Sequence, residues 1–269
     1  MEMNEILLSI VTVVKDDTEG LKRTIESLKE IKNDIQLIIV DGSRPELRPL
    51  VMSQANNICA KYLNDKGSGI YEAMNLGMSK ATGKYLLFLN SGDRLHPFFD
   101  ISGLLAQLKI GSRTIFGYVI ETYKNSSYIR PKPGQEHRSF KTAPHQAIFY
   151  PSTFYSKNAY RLDIRVSADG EFTRRSLAAV GGVFLNLLVS EFFLGGVSNS
   201  YEKLKMVKIR VAENESKKNK TKIYLKYLLW KILPKQIFYQ LLAFYKYKKF
   251  KKNKFFNDFD CKIIANYEN

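Results

Sequence analysis

The sequence predicts an α/β fold in which helices cover both faces of a sheet, followed by a basic helical extension. First, apolar β-branched runs alternate with segments that are apolar at helical spacing over about the first 90 residues. Second, those runs are continuous rather than alternating, which is typical of strands buried on both faces. Third, 45% of the 269 residues are hydrophobic, which is enough to bury a substantial core.

The chain opens with a predicted strand and helix. The run ILLSIVTVV predicts the strand, and Thr18 is the expected N-cap of a helix in which Leu21, Ile25 and Leu28 recur at helical spacing. The run IQLIIV predicts a second buried strand that ends at Asp41.

Two more strands and helices follow in alternation. We expect Pro45 to open a short helix that reaches about Asn56, and CAKYL to form a third strand. A third helix should end at Gly83, and its apolar face is formed by Ile70, Met74, Gly77 and Ala81. KYLLFL predicts the fourth strand. This order of elements favours a parallel sheet.

After residue 110 the pattern becomes mixed. RTIFGYVIETY and HQAIFY read as strands, and a helix is predicted to begin at a capping Ser167 and to end at a glycine pair. VFLNLLVSEFFLGG also predicts a strand, because its uninterrupted apolar run falls far below the ~20 residues that a membrane span needs.

Four acidic residues each follow a predicted strand, at Asp16, Asp41, Asp65 and Asp93. The carboxyl ends of parallel strands meet at one edge of the sheet, where ligands bind. Asp93, next to Gly92, can coordinate a hard divalent cation such as Mg²⁺ or Mn²⁺. The alternative is that these aspartates only form turns and caps.

Several segments together resemble the family 2 glycosyltransferases of bacterial polysaccharide synthesis. They are SIVTVVKDDTEGLKRTIESL, LIIVDGS, NDKGSGIYEAMNLGMSKATGKYLLFLNSGD, PHQAIFY and FFLGGVS, within about residues 6 to 200. The third is similar to the subgroup that makes capsule, O-antigen and colanic-acid-type polymers. The resemblance implies a GT-A fold, which is a Rossmann-like mixed sheet. It also implies an inverting, metal-dependent transfer from a nucleotide-sugar donor, UDP-linked by expectation, to a lipid-linked glycan acceptor.

The resemblance also implies a role for each matching residue. Thr12 and Asp16 would border the donor nucleotide, and Asp41 would hold its base. Asp65 and Lys66 would lie near the base or the donor. The ribose and diphosphate would be lined by Asn90, Ser91 and Gly92. Asp93 would be the metal ligand. Asp93 is the one acidic residue left in the family's DxD-type metal-binding motif, and Asn90 and Gly92 stand elsewhere in that motif. A modest metal affinity is therefore expected.

The same resemblance makes Asp169 the catalytic base. Inversion by direct displacement needs one carboxylate to accept the proton of the acceptor hydroxyl. Glu171 is the alternative, although residues two apart on a helix do not share a face. His145 and Gln146 could contact the metal, the diphosphate or the acceptor, or His145 could be a structural histidine at the end of a strand.

The net charge of +16 is concentrated near the C-terminus. Residues 203–254 contain 17 Lys and Arg against 2 Glu, a net charge of +15, which leaves +1 for the rest. The shift in composition predicts a GT-A domain over residues 1–200 and a basic amphipathic helical region over residues 201–269. Pro234 should separate two helices, and one apolar stripe is formed by Ile237, Phe238, Leu241, Leu242 and Tyr245.

We expect this stripe to lie in an anionic membrane surface, with no nucleic acid as partner. The alternative is that it packs on the protein's own body or on a second subunit, which would form a homodimer. Two widely spaced cysteines and an N-terminus without a signal peptide predict a peripheral protein on the cytoplasmic face of the plasma membrane. Another interpretation is a non-catalytic membrane- or nucleic-acid-binding protein on a degenerate transferase scaffold.

Overall fold

The computed structural model describes residues 6–29, 35–65, 69–99, 101, 112–123, 126–165, 167–193, 217–246, 248–249 and 263–267. Within these residues the first half forms the predicted parallel sheet. Its strands, in spatial order β3-β2-β1-β4, are β1 (Leu8–Val14), β2 (Ile35–Asp41), β3 (Lys61–Asn64) and β4 (Tyr85–Phe88). All three pairings are parallel. Every side chain of β1 is buried, as its continuous apolar run predicts.

Helices cover both faces of this sheet, as predicted. They are α1 (Thr18–Leu28), α2 (Arg48–Asn56) and α3 (Ile70–Met78). Alternate residues of a strand point to opposite faces. Val14 accordingly packs in a cluster with α1 and α2, whereas Val11 packs in a cluster with α3. The approach of α3 is close at Gly77, where an added Cβ would lie 2.4 Å from a methyl carbon of Val11.

The starts of two helices differ from the sequence prediction. The N-cap of α1 is Asp17 rather than Thr18, because the Asp17 carboxylate accepts a hydrogen bond of 2.9 Å from the Gly20 nitrogen. Helix α2 does not begin at Pro45 but at Arg48, and the proline of its first turn is Pro49. Proline fits the first turn of a helix, but from the sequence either of two nearby prolines could fill that place.

The end of α3 also differs from the prediction. The helix ends at Met78, with Ser79 as its C-cap, instead of extending to Gly83. Gly83 lies where the chain passes close to β1, because an added Cβ would be 2.5 Å from the Ser9 nitrogen. This glycine therefore allows two backbones to approach each other rather than ending a helix.

The chain after β4 converts the sheet into a mixed one, as the resemblance implied. It contributes β5 (Arg94–Leu95), β6 (Thr114–Tyr123), β7 (Ser126–Arg130), β8 (Ile148–Pro151) and β9 (Gly182–Phe193). Strand β8 is antiparallel to both β4 and β6, and β9 is parallel to β6 and antiparallel to β5. The long apolar segment predicted as a strand is β9. HQAIFY is only partly a strand, because His145–Ala147 form a 3₁₀ turn after Pro144.

In the described part of this region, three α-helices accompany these strands: α4 (Ser139–Thr142), α5 (Ser152–Tyr155) and α6 (Ala168–Val180). Helix α6 begins after Ser167 as predicted, but the Ser167 side chain makes no capping hydrogen bond. Its backbone has a φ of 70°, and the next N–H group, of Ala168, donates to the Tyr71 hydroxyl at 3.1 Å. A tyrosine from α3 thus takes part of the role expected of the serine.

The C-terminal region forms helices α7 (Lys217–Ile232) and α8 (Lys235–Lys246), which are separated at Pro234 as predicted. Its described residues also form two short strands, β10 (Lys248–Lys249) and β11 (Ile263–Tyr267), which pair with β7 and β9. The proposed boundary near residue 200 falls outside the described residues and stays a prediction. No helix in the described ranges has both the length and the apolar character needed to cross a bilayer.

Candidate functional site

A cleft of about 450 Å³ opens at the carboxyl ends of β1, β2 and β4, where the sequence predicted a ligand site. Its volume is in the usual range for a small-molecule site. Six of the predicted site residues line it: Asp65, Asn90, Ser91, Asp93, His145 and Gln146. The end of β1 and the turn after it, Gly42 after β2, the start of α3 and the end of β9 complete the lining.

Side chains of helix α1 hold the turn after β4 through hydrogen bonds to its backbone. The buried Thr24 hydroxyl lies 2.6 Å from the Asp93 carbonyl oxygen, to which it donates, and accepts a hydrogen bond from the Gly92 nitrogen at 3.0 Å. The Ser27 hydroxyl accepts from the Leu95 nitrogen at 3.0 Å. Gly92 has a φ of 91°, a conformation that favours glycine. These contacts fix the backbone that carries Asp93.

Asp93 places a nearly buried carboxylate at the edge of the cleft. One of its oxygens accepts a hydrogen bond of 2.9 Å from the Gln146 side-chain nitrogen. Burial raises the pKa of Asp93 to about 6, although the Gln146 hydrogen bond and the nearby His145 act in the opposite direction. The Gln146 carbonyl is held in turn by the Ser190 hydroxyl at 2.7 Å.

His145 connects the turn after β4 to the start of α6. Its Nε2 lies 3.1 Å from the side-chain nitrogen of Asn90, and its Nδ1 lies 3.5 Å from an Asp169 carboxylate oxygen. This arrangement fits an imidazole that donates from Nδ1 to Asp169 and accepts at Nε2 from the Asn90 amide. His145 therefore has partners on both sides and also lines the cleft.

Asp169 lies in the first turn of α6 and keeps about 35% of its side chain exposed. Burial acts to raise its pKa, but the hydrogen bond and proximity of His145 and the Gly170 N–H group outweigh it, so the pKa is lowered. Asp169 is thus a carboxylate at neutral pH, with part of its surface available to a substrate.

Glu171, the alternative base, faces elsewhere. Its carboxylate pairs with Arg175 at 2.8 Å. Arg175 is anchored by the Asn158 side chain at 3.0 Å and by the Ala159 carbonyl at 2.6 Å. This network belongs to the packing of α6, which favours Asp169 on geometric grounds.

Two of the predicted rim aspartates are engaged by the loop after β2. Asp41 is fully buried, and its oxygens accept from the Ser43 nitrogen and the Tyr62 hydroxyl, both at 2.8 Å. Asp16 accepts from the Arg44 nitrogen at 2.9 Å. Neither residue is among the cleft-lining residues of the described chain. The role of Asp41 in holding a base stays a prediction, and the structure gives this carboxylate two internal partners.

The remaining predicted residues have varied positions. Thr12 is buried within β1, and Gly92 shapes the turn without lining the cleft. Lys66 lies outside the described residues.

Several cleft residues were not predicted from the sequence: Lys15, Asp17, Ile70, Phe192 and Phe193. Asp17 caps α1, and its other carboxylate oxygen accepts from the Ser91 hydroxyl at 3.1 Å. The signal for Asp17 was its place just before the helix, with Gly20 three residues later. The signal for the two phenylalanines was their place at the end of the long β9 run.

The donor set at this edge fits a single-carboxylate metal site. No group of three or more His, Cys, Asp or Glu side chains in the described ranges is arranged to hold a metal. Asp93 supplies one carboxylate, and Asn90 supplies a buried side-chain oxygen that has no hydrogen-bond partner among the described residues. Mg²⁺ is commonly bound by one or two carboxylates together with phosphate oxygens and water.

Comparison with known proteins agrees with this architecture. The profile of Glycosyl transferase family 2 matches residues 9–165. An uncharacterized glycosyltransferase of Mycobacterium tuberculosis is 27% identical over 204 residues, which are 72% of this chain and 78% of that protein. A PGL/p-HBAD biosynthesis glycosyltransferase of Mycobacterium bovis is 28% identical over 204 residues, which are 72% of this chain and 80% of that protein.

Solved structures of S. aureus TarS share the fold. TarS 1–349 in complex with UDP-GlcNAc has a TM-score of 0.60 at 14% sequence identity, covering 84% of this chain and 73% of that chain. A longer TarS chain has a TM-score of 0.60 at 13% identity, and this protein spans 44% of its length. The predicted GT-A architecture is therefore confirmed.

Proposed function

Because the chain belongs to glycosyl transferase family 2, we propose that it moves a sugar from a nucleotide diphosphate donor to an acceptor hydroxyl, with inversion at the anomeric carbon. The observation that carries this proposal is the pair His145 and Gln146. Gln146 holds the carboxylate of Asp93, and His145 contacts the carboxylate of Asp169. Two neighbouring residues thereby link the proposed metal ligand to the proposed base across one cleft.

The proposed donor is a UDP-sugar of the hexose or N-acetylhexosamine class. Asp65, Asn90 and Ser91 line the cleft where the nucleotide would lie. The TarS complexes with UDP and UDP-GlcNAc, which share this fold, support the choice of UDP. Ser91 is fixed by Asp17, so the turn after β4 is positioned before a donor binds.

Mn²⁺ or Mg²⁺ is the proposed cofactor, held by Asp93 with the Asn90 side-chain oxygen close in sequence. When bound, such an ion neutralises negative charge on the diphosphate leaving group. The hydrogen bond from Gln146 orients the Asp93 carboxylate, and contacts to ligating carboxylates of this kind tune metal affinity.

Asp169 is the proposed general base. As the acceptor oxygen bonds to the anomeric carbon, the bond from that carbon to the diphosphate oxygen breaks, and the hydroxyl proton moves to an Asp169 oxygen. The pKa of Asp169 is lowered, so this group is ready to accept a proton at neutral pH. Hydrogen bonding to His145 fixes the direction of the carboxylate.

We further propose a place in cell-surface polysaccharide synthesis of the capsule or O-antigen type, with a lipid-linked glycan as acceptor. The similarity to proteins named PGL/p-HBAD biosynthesis glycosyltransferases supports a biosynthetic role for the transfer. A lipid-linked acceptor would lie in the membrane, and the proposed location of the enzyme is therefore the inner face of the plasma membrane.

The test is release of UDP from a panel of UDP-sugars in the presence of Mn²⁺, measured for the wild type and for Asp93→Asn. We expect metal-dependent release from at least one donor by the wild type, and a loss of metal dependence in the variant. Absence of turnover with every UDP- and GDP-sugar, by protein that is folded, would contradict the proposed function.

A further inference from the structure

We propose that the outer face of helices α7 and α8 docks on an anionic phospholipid bilayer. The two helices each have two apolar faces, and among the described residues only one face of each helix packs on the protein. This inference concerns a surface that contributes no described residue to the cleft lining, and it stands whether or not the proposed transfer reaction is correct.

The inner faces cover the sheet. Phe238 and Tyr239 of α8 are buried in the cluster that contains Leu8 of β1, and Tyr227 and Trp230 of α7 pack against the same cluster. The alternative raised for the predicted stripe, packing on the protein's own body, is thus correct for part of it. Phe238 and Leu242 pack inward, whereas Ile237 and Leu241 are exposed.

The outer faces carry large apolar side chains in helical register. On α7 and α8 the exposed residues are Tyr224, Leu225, Leu228, Leu229, Ile232, Ile237, Leu241 and Phe244. Ile232 is 76% exposed and Phe244 is 73% exposed. The spacings 225, 228, 232 and 237, 241, 244 place each set on one side of its helix, opposite the residues that pack inward. A helix that only covers a core would carry polar residues here.

Lysines flank the exposed apolar face of α7. At 100° per residue, Lys222 and Lys226 lie along one border of the exposed arc of α7, and Lys220 and Lys231 lie along the other. Neither helix contains an aspartate or a glutamate. An apolar face bordered by lysines is typical of a helix that lies in a membrane interface, where lysines reach the headgroups.

Charge decides between the bilayer and other partners. A second copy docked through this face would bring two lysine-bordered surfaces together, with no acidic residue on either helix to offset the repulsion. A nucleic acid would bind the lysines but would leave the leucines between them in water. An anionic bilayer satisfies both, because its acyl region takes the apolar side chains and its headgroups take the lysines.

The test is co-sedimentation of the full chain with vesicles of phosphatidylcholine alone or with 30% phosphatidylglycerol. Helices α7 and α8 are called the tail, and the tail variant replaces Leu228, Ile232 and Phe244 by glutamine. The matched control replaces Leu50, Met52 and Leu162 by glutamine, since these are also large, apolar and exposed but lie outside the tail. We expect the wild type and the control to bind anionic vesicles, and the tail variant to bind at least tenfold more weakly.

Four results would overturn the proposal. Equal binding by the tail variant would show that the face is not involved. A dimer that forms in the wild type and is lost in the tail variant would show a subunit interface. A lowered melting temperature of the variant would show that the face is covered within the chain. Salt-sensitive binding to duplex DNA, without binding to anionic vesicles, would also reject the bilayer. UDP binding by the tail variant is measured in parallel, so that a failure of the donor site is seen separately.

Discussion

Replacing Asp169 by asparagine removes the proposed base and leaves its surroundings nearly unchanged. The amide has the size of the carboxylate, and its oxygen can still accept from His145. The carboxylate lies 3.5 Å from that imidazole and is partly exposed, so its loss should affect stability little. A positioned general base contributes about 10²–10⁴-fold to the rate, which corresponds to about 3–5 kcal/mol of barrier. We therefore expect turnover to fall by that factor.

The assay is UDP release from the donor that the wild type uses, with donor affinity measured by calorimetry on the same preparations. The affinity of Asp169→Asn should stay within about threefold, because the substitution removes a proton acceptor and no donor contact. Asp163→Asn is the matched control, since Asp163 is exposed and paired with Arg161, and it should retain wild-type turnover. A rate within threefold of wild type for Asp169→Asn would refute the assignment of the base.

Three further predictions concern the scaffold. Gly77→Ala should destabilise the protein by about 1–3 kcal/mol in urea unfolding, because its Cβ would lie 2.4 Å from a buried valine methyl. Gly170→Ala, with 3.8 Å to its nearest neighbour, should instead be stabilising by about 0.5–1 kcal/mol; the same sign for both would contradict the packing argument. Thr24→Val should lower the free energy of unfolding by about 1–3 kcal/mol and weaken UDP binding, because it leaves the Asp93 carbonyl and the Gly92 N–H group without this partner. Unchanged UDP affinity would show that the Thr24 hydrogen bonds do not position the site. Burial, with a smaller effect of a nearby arginine, lowers the pKa of His96 to about 4 from an ordinary 6.5. The contribution of the neutral His96 to the free energy of unfolding is therefore complete above pH 6.5 and is lost as the pH falls towards 4. At pH 5 this amounts to about 2 kcal/mol less stability than at pH 7, a difference that His96→Asn should abolish and that an unchanged pH dependence in the variant would disprove.

The sequence predicted the parallel half of the fold well because its signals are local. A continuous apolar run between turn residues, such as the one that forms β1, has few structures available other than a buried strand. The ends of the helices were less predictable. Asp17 and Thr18 are both good caps, and only the packing of α1 against the turn after β4 decides between them.

In the site, too, the features that depend on local sequence were predictable and those that depend on tertiary contacts were not. Strand-end position predicted that Asp65 and Asp93 face the cleft, and both line it. The sequence could not show that Asp41 turns inward to Tyr62, or that His145 contacts Asp169, because these partners are distant along the chain. Such contacts depend on tertiary packing, which a single sequence does not report.

The tail shows a limit of helical periodicity. The spacing of Ile237, Phe238, Leu241 and Leu242 correctly indicated an apolar helix, but it merged two faces into one stripe. A periodic pattern identifies residues that share a side of a helix, and it does not show which side the body covers. The inward position of Phe238 and the exposed position of Ile237 follow from packing alone.

The central claim is that the cleft binds a metal–nucleotide complex through Asp93, and calorimetry tests it most directly. UDP is titrated into the wild type and into Asp93→Asn, each with and without Mn²⁺, and GDP is titrated in parallel to test the choice of nucleotide. We predict that Mn²⁺ increases the affinity of the wild type for UDP at least tenfold, and that the variant does not respond to Mn²⁺. Equal UDP affinities with and without metal in the wild type, or no binding of either nucleotide, would contradict the account.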